Sequence, residues 1–316
     1  VKDERYPINV IIIVVSEKNM GNRFLASEDV LKNVGNTPLV KVGPVYAKLE
    51  TYNPTGSIKD RMAAYMILAA AKRGLLKKGS RIIEVTSGNT GISFAMISAV
   101  RGYEFTAVMP ESMSVERRKM MLAFGAKLVL TPAREDMTGA MRKYDELVRM
   151  NPKAWLPRQF ENPDNIAAHR KGIGMEILVQ TGGKIDAVVA GIGTGGTILG
   201  IAQALKDAKC DAKIIGVEPH ESAVLSGKKP GPHGIQGIGE GFIPKLVQDN
   251  IDDLDEVIAI RTDDAKKASR MLATKYGYLV GISSGANYLA SLKAHKKYGR
   301  VVTVFADRGE RYLLSG

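Results

Sequence analysis

A chain of 316 residues, 45% hydrophobic and 25% charged, is long enough for one large or two medium domains and has the balance of a soluble globular protein. Its net charge of +12 would admit nucleic acid, a membrane surface or anionic small molecules, but the basic residues are spread along the chain and no nucleic-acid module signature occurs, so a solvated basic surface accounts for them. The single cysteine, Cys210, excludes an intrachain disulfide or a cysteine metal cluster and fits a reducing, cytoplasmic compartment, while the four histidines form no His-x-x-x-His pair, so no metal site is expected.

Residues 1–32 read as a variable N-terminal extension that adds an edge strand or an oligomer contact. Its aliphatic run at 8–15 is interrupted by Asn9 and is far short of the ~20 residues a membrane span needs. Acidic Asp3 and Glu4 argue against a signal peptide. Short apolar runs then alternate with amphipathic stretches. In chain order they predict a strand at 45–50, a helix at 57–73, a strand at 81–85, a helix at 90–101 and a strand at 105–109. A helix at 114–124, a strand at 127–130 and helices at 138–150 and 165–180 follow. The series closes with strands at 186–190, 213–217, 256–260 and 301–305 and helices at 197–206, 263–276 and 284–297. This alternation predicts an α/β fold with mainly parallel sheets and ligands at the carboxyl ends of strands. The segment 151–164, with Pro152, Pro157 and Pro163, reads as a boundary between two α/β halves, and the Gly/Pro-rich segment 226–244 reads as a long functional loop.

Several strand-to-helix turns carry chemistry. Gly191-Ile192-Gly193-Thr194-Gly195-Gly196 matches G-x-G-x-x-G, and Glu218 ends the following strand where a dinucleotide fold would place an acid on a ribose. Backbone N–H groups at a glycine-opened helix start bind any phosphate dianion, so the loop specifies phosphate without specifying which. Asn53-Pro54-Thr55-Gly56-Ser57-Ile58-Lys59-Asp60-Arg61 places a lysine at a helix start. Such a lysine is a surface charge when exposed, and when buried beside a phosphate pocket it can lose its proton and form a Schiff base. Asp60 and Arg61 read as a helix-surface ion pair. Thr86-Ser87-Gly88-Asn89-Thr90-Gly91 offers hydroxyls, an amide and N–H groups suited to a carboxylate, or simple helix capping. Gly281-Ile282-Ser283-Ser284-Gly285 is a third small-residue strand-to-helix turn, which simple capping would also explain.

These segments, in this order, resemble the fold-type II pyridoxal-phosphate enzymes, and among them the cysteine synthases (O-acetylserine sulfhydrylases). The resemblance spans roughly 33–315. It also takes in Gly35-Asn36-Thr37-Pro38-Leu39, Met109-Pro110-Glu111, Glu116-Arg117-Arg118, Gln159-Phe160, Gly231-Pro232-His233, residues 235–239 and Gly309-Glu310-Arg311-Tyr312. It implies a tryptophan-synthase-β-like fold of two α/β domains. The larger domain would comprise 33–48 and 161–316, and the smaller 49–160, with 86–150 mobile. It further implies that Lys59 holds pyridoxal 5'-phosphate and moves the Cα proton. Gly193, Thr194, Gly195, Gly196 and Thr197 would cradle the phosphate, and Asn89 would meet the cofactor's 3' oxygen. Ser283, with Ser284 as its alternative, would meet the pyridine nitrogen. Thr86, Ser87, Gly88, Thr90, Gln159 and Gly237 would hold the substrate.

The implied reaction replaces the acetate of O-acetyl-L-serine by sulfide, in a homodimer that could pair with serine acetyltransferase. The 307–312 ending is similar to isoforms that also take thiosulfate. Glu240 and Gly234 depart from the family pattern, an acid standing where a small residue is common and a glycine where a lysine is common. O-phosphoserine sulfhydrylase, cystathionine β-synthase and β-cyanoalanine synthase share the scaffold. A silent binding homologue and a nicotinamide-nucleotide enzyme are the readings from other classes.

Overall fold

The computed structural model of the chain describes residue 27 and residues 29–313. The edge strand expected in the N-terminal extension lies outside them. The described chain builds two sheets. The larger has six strands in the order β1-β2-β9-β6-β7-β8 and the smaller has three in the order β3-β4-β5. Here β1 is Leu39–Val42, β2 Val45–Leu49, β3 Arg81–Val85, β4 Glu104–Pro110, β5 Lys127–Thr131, β6 Ala187–Gly191, β7 Lys213–Pro219, β8 Glu256–Ile260 and β9 Val301–Phe305. All pairings are parallel except β1 with β2. The helices are α1 Lys59–Lys72, α2 Asn89–Arg101, α3 Val115–Ala123, α4 Asp136–Met150, α5 Asp164–His169, α6 Met175–Thr181, α7 Gly196–Asp207, α8 Lys245–Gln248, α9 Thr262–Tyr276 and α10 Ile282–Tyr298.

A parallel sheet is covered on both faces, so its strands read as continuous apolar runs. In β6 the two-residue period sends Ala187 and Val189 into a core under α9 and α10, and Val188 and Ala190 into a second core under α6 and α7. β9 divides likewise, Val301 and Phe305 to one side and Val302 and Val304 to the other. The smaller sheet packs Ile82, Phe105, Ala107 and Met109 against α1 and α2, and Ile83 and Val108 against Ala140 of α4.

Four local features differ from the sequence expectation. β1 is a short antiparallel edge strand, turned into β2 by Gly43 at φ +59°. The helix expected at 165–180 is two helices joined by a π-helical segment, Arg170–Gly174. Here the chain crosses α7 at glycines, because a Cβ on Gly200 would lie 2.5 Å from His169 Cβ and one on Gly174 2.5 Å from Ala204 Cβ. The boundary segment is no free linker, since Trp155 bridges to Ile82 and extends the small sheet at its β3 edge. Asp60 and Arg61 are both buried and do not pair with each other. Asp60 accepts from Thr55 and Ser93, while Arg61 grips Glu50 and Glu176. Lys48 joins Glu176 in this cluster, and Glu176 is held down at about 2, burial being outweighed by Arg61 and Lys48. The cluster locks the Gly35–Thr37 turn, through the Asn36 and Thr37 N–H groups, onto α1 and α6.

Candidate active site

Lys59 opens α1, where the chain is fastened to the carboxyl end of β9. Ile58 N–H donates to Ala306 O, and Ser57 bridges Asp307. The lysine is only partly exposed, and burial pulls its pKa down while Glu240 and Asp307 push it back up. A lysine so placed sheds its proton more readily than a surface one, which nucleophilic attack on a carbonyl requires.

The glycine turn follows β6. Gly195 has φ +85°, a left-handed conformation that glycine adopts without strain. A Cβ on Gly196 would fall 1.9 Å from Asn165 Oδ1, one on Gly195 2.3 Å from Val247 Cγ2 and one on Gly193 2.4 Å from Gly237 O. Only glycine lets the backbone approach this closely. The Thr197 and Ile198 N–H groups in the first turn of α7, a helix of 12 residues, have no acceptor within the helix and are left to face an anion. Thr194 Oγ1 accepts from Gly196 N and from Asn165 Nδ2, and Thr197 Oγ1 lies 3.4 Å from His169 Nε2. His169 is kept neutral by burial, with Lys59 and Arg61 adding to the effect.

The second turn follows β3. Thr86 Oγ1 accepts from Gly91 N and shapes the Ser87-Gly88 corner before α2. Thr90 Oγ1 donates to Gln159 Oε1 at 2.8 Å, so the two residues expected to share a substrate carboxylate already touch. Gln159 is held from two further sides, its N–H by Glu84 and its carbonyl by Asn165 Nδ2. Asn165 therefore joins Gln159 to the glycine turn, a role with no sequence signal because nothing distinguishes it from a helix-start asparagine.

Asn89 Nδ2 donates to Asp307 Oδ2 at 2.7 Å, and Arg311 donates to Asn89 Oδ1. The amide is thus fixed in orientation, with one Nδ2 hydrogen left for a ligand oxygen. Asp307 Oδ1 is buried and has no partner among the described residues. Of the two candidate serines, Ser284 Oγ accepts from Ala306 N, whereas the buried Ser283 hydroxyl makes no hydrogen bond to a described residue. Gly237, φ +87°, sets its carbonyl against Gly193, and Gly239 N donates to Ile192 O, so the 231–241 loop lies along the phosphate turn. Glu218 does not face a ribose. Its carboxylate is taken by the N–H groups of Leu225 and Ser226 and by the Ser226 hydroxyl.

The cleft thus brings together a depressed lysine, a glycine cradle that any Cβ would fill, an oriented amide and a carboxylate-sized ring of hydroxyl and amide groups. These residues fit pyridoxal phosphate. The cradle would take the phosphate, Lys59 the aldehyde carbon, and Asn89 and Ser283 the polar atoms of the ring.

Comparison with known proteins agrees. Residues 30–307 match the family described as pyridoxal-phosphate dependent enzyme. The chain is similar to cysteine synthase of Staphylococcus aureus, 45% identical over 298 residues, which cover 90% of this chain and 95% of that one. It superposes on the cysteine synthase of Entamoeba histolytica with a TM-score of 0.88 at 43% identity, covering 93% and 91% of the two chains. It superposes on the O-acetylserine-dependent cystathionine β-synthase of Helicobacter pylori with a TM-score of 0.86 at 39% identity, covering 93% and 100%.

Proposed function

We propose, from the premise that this chain belongs to the pyridoxal-phosphate-dependent enzyme family, that it converts O-acetyl-L-serine and sulfide to L-cysteine and acetate. The observation that carries the reading is the meeting of Lys59, the Gly193–Thr197 cradle and the Thr86–Thr90 turn in one cleft between the two sheets. Bound pyridoxal phosphate supplies an electron sink that acidifies the substrate's Cα–H. The chain's own residues do the rest. Lys59 takes the Cα proton and later returns it. Thr86, Ser87, Gly88, Thr90 and Gln159 hold the substrate carboxylate, which fixes the Cα–H toward Lys59. Asn89, oriented by Arg311 and Asp307, steadies the ring oxygen. Ser283 offers the ring nitrogen a hydroxyl too weakly acidic to protonate it fully, which favours elimination over transamination. The Gly237 backbone closes the site beside the β-carbon.

The same reading divides the chain into a larger unit (33–48 and 161–316) and a smaller one (49–160). Residues 86–150 of the smaller unit move over the bound substrate and exclude water. It also carries a cytoplasmic homodimer, with serine acetyltransferase as a candidate partner and thiosulfate as an alternative donor.

The test is a visible spectrum of the purified protein followed by addition of O-acetylserine and then sulfide. A band near ~410 nm that disappears with O-acetylserine and returns with sulfide, together with cysteine as product, is expected. Lys59→Ala should lose the band and cut cysteine formation by on the order of 10³. A band indifferent to O-acetylserine would overturn the substrate assignment, and no band after addition of cofactor would overturn the enzyme reading.

A further inference from the structure

The reaction described above uses Asp307 only to orient Asn89, yet its carboxylate stands among the groups that would hold the cofactor. The residue is buried, its backbone bridges to Ser57, two residues before Lys59, and its carbonyl accepts from Gly281 N. Oδ2 accepts from Asn89 Nδ2 and from the Tyr312 hydroxyl, while the buried Oδ1 has no partner among the described residues. A Cβ on Gly281 would fall 2.1 Å from Oδ1, so the glycine at the head of the Ser283 turn is what leaves room for the acid. The carboxylate is thus wedged between the Asn89 turn and the Ser283 turn, the proposed holders of the polar atoms of the cofactor ring.

Charged and titratable groups approach from several elements. Lys59 on α1 and Arg311, after β9, both feel the charge of Asp307. Arg311 spends its guanidinium elsewhere, on Asn89 Oδ1 and Thr55 O. Arg117 of α3 lies over the Tyr312 ring, and Asp60 faces Arg311 from α1. Lys59 is also faced by Glu240 of the 231–241 loop and by His169 of α5, which burial keeps neutral. Asp307 is set apart by Asn89. One hydrogen of the Asn89 amide nitrogen goes to Asp307, and the other is left for the ring oxygen. An anion raises the proton affinity of the groups beside it, and a buried one whose second oxygen lacks a donor does so strongly.

We propose that Asp307 is a positioning residue whose negative charge retains a proton where Lys59 joins the cofactor, so that the carbon bound to Lys59 stays electrophilic toward the substrate's amino group. The proposal rests on the reading in which Lys59 and Asn89 hold pyridoxal phosphate, and adds to it what sets the charge there. Tyr312 tempers the effect by donating to the same carboxylate.

The test has one readout without cofactor and one with it. In the cofactor-free full chain, the pH dependence of acetylation of Lys59 by acetic anhydride, an uncharged reagent, reports the lysine's own proton. Mass spectrometry of the Lys59 peptide reads it, with the exposed Lys209 as internal reference. Asp307→Asn should move the midpoint of this curve down by roughly one pH unit, and so speed acetylation of Lys59 at neutral pH by up to about tenfold. With pyridoxal phosphate bound, the ~410 nm band should persist to higher pH in the wild type than in Asp307→Asn, and the alkaline limb of kcat/KM for O-acetylserine should begin at lower pH in the variant. Tyr312→Phe keeps the charge and removes a donor, and should move neither curve downward. Acetylation curves that coincide in wild type and Asp307→Asn would overturn the proposal. So would a fall in Tyr312→Phe equal to that in Asp307→Asn, because the network would then act through its shape alone. Failure of the wild type to give a band with pyridoxal phosphate would strike the cofactor reading instead, and the acetylation curves would still decide what Asp307 does to Lys59.

Discussion

Glu84, at the end of β3, accepts the N–H groups of Arg158 and Gln159 and so sets the Gln159 side chain against Thr90. Burial raises its carboxyl from 4.5 to about 7, the two N–H groups only partly offsetting the cost of desolvation. An acid raised on folding binds its proton more tightly in the native state. The native state is therefore favoured at low pH and loses that advantage as pH rises from 4.5 through about 7. Between pH 5 and 8 the wild type should lose on the order of 2 kcal/mol relative to Glu84→Gln, which has no proton to release. Calorimetric Tm values for both proteins across that range check this, and a difference that does not change with pH would refute it.

The start of α7 shows an element fixed by what its neighbours permit. Gly195 needs both a left-handed backbone and the absence of a Cβ, whereas Gly277, at φ +75° after α9, has nothing within 4 Å of a Cβ. Gly277→Ala should therefore cost only backbone strain, about 1 kcal/mol, with cofactor affinity unchanged. Gly195→Ala adds the collision with Val247. It should cost about 2 kcal/mol or more and weaken pyridoxal-phosphate binding at least roughly tenfold. Denaturant titration reads the first quantity and fluorescence titration of the cofactor the second. Equal effects of the two substitutions would show that the Val247 contact does not set the loop.

Across the whole molecule, a side chain from the small sheet's layer reaches the loop of the large one. Arg117 of α3 donates from Nη2 to Gln236 Oε1 at 2.8 Å and lies 5.4 Å over the Tyr312 ring. A latch of this kind holds the smaller unit over bound substrate in the closure proposed above. Arg117→Ala should raise KM for O-acetylserine about fivefold, as loss of one exposed hydrogen bond of about 1 kcal/mol would. It should also reduce the contraction seen by small-angle scattering when substrate is added. Wild-type contraction in the variant would assign closure to other contacts. The Lys48–Glu50–Arg61–Glu176 cluster ties β2, α1 and α6 together two residues from Lys59, which opens α1.

By itself the sequence determined the alternation of strands and helices, the phosphate turn after β6 and the helix-start position of Lys59. Each of these is encoded locally, by hydrophobic period, by glycine at a turn and by spacing along one segment. The ordered motifs also sufficed to point to the family. Tertiary structure alone decided that Asp60 and Arg61 turn inward to different partners, and that Glu218 caps its own loop. It also decided that Glu84 holds Gln159, that Asn165 joins Gln159 to the glycine turn, and that Ser284 is spent on Ala306 while Ser283 is not. These roles depend on burial and on partners 5 to 115 residues away in the chain, which no local pattern records. Glu240 belongs to both kinds. Its charge is written in the sequence, but that Lys59 and His233 face it follows only from the fold.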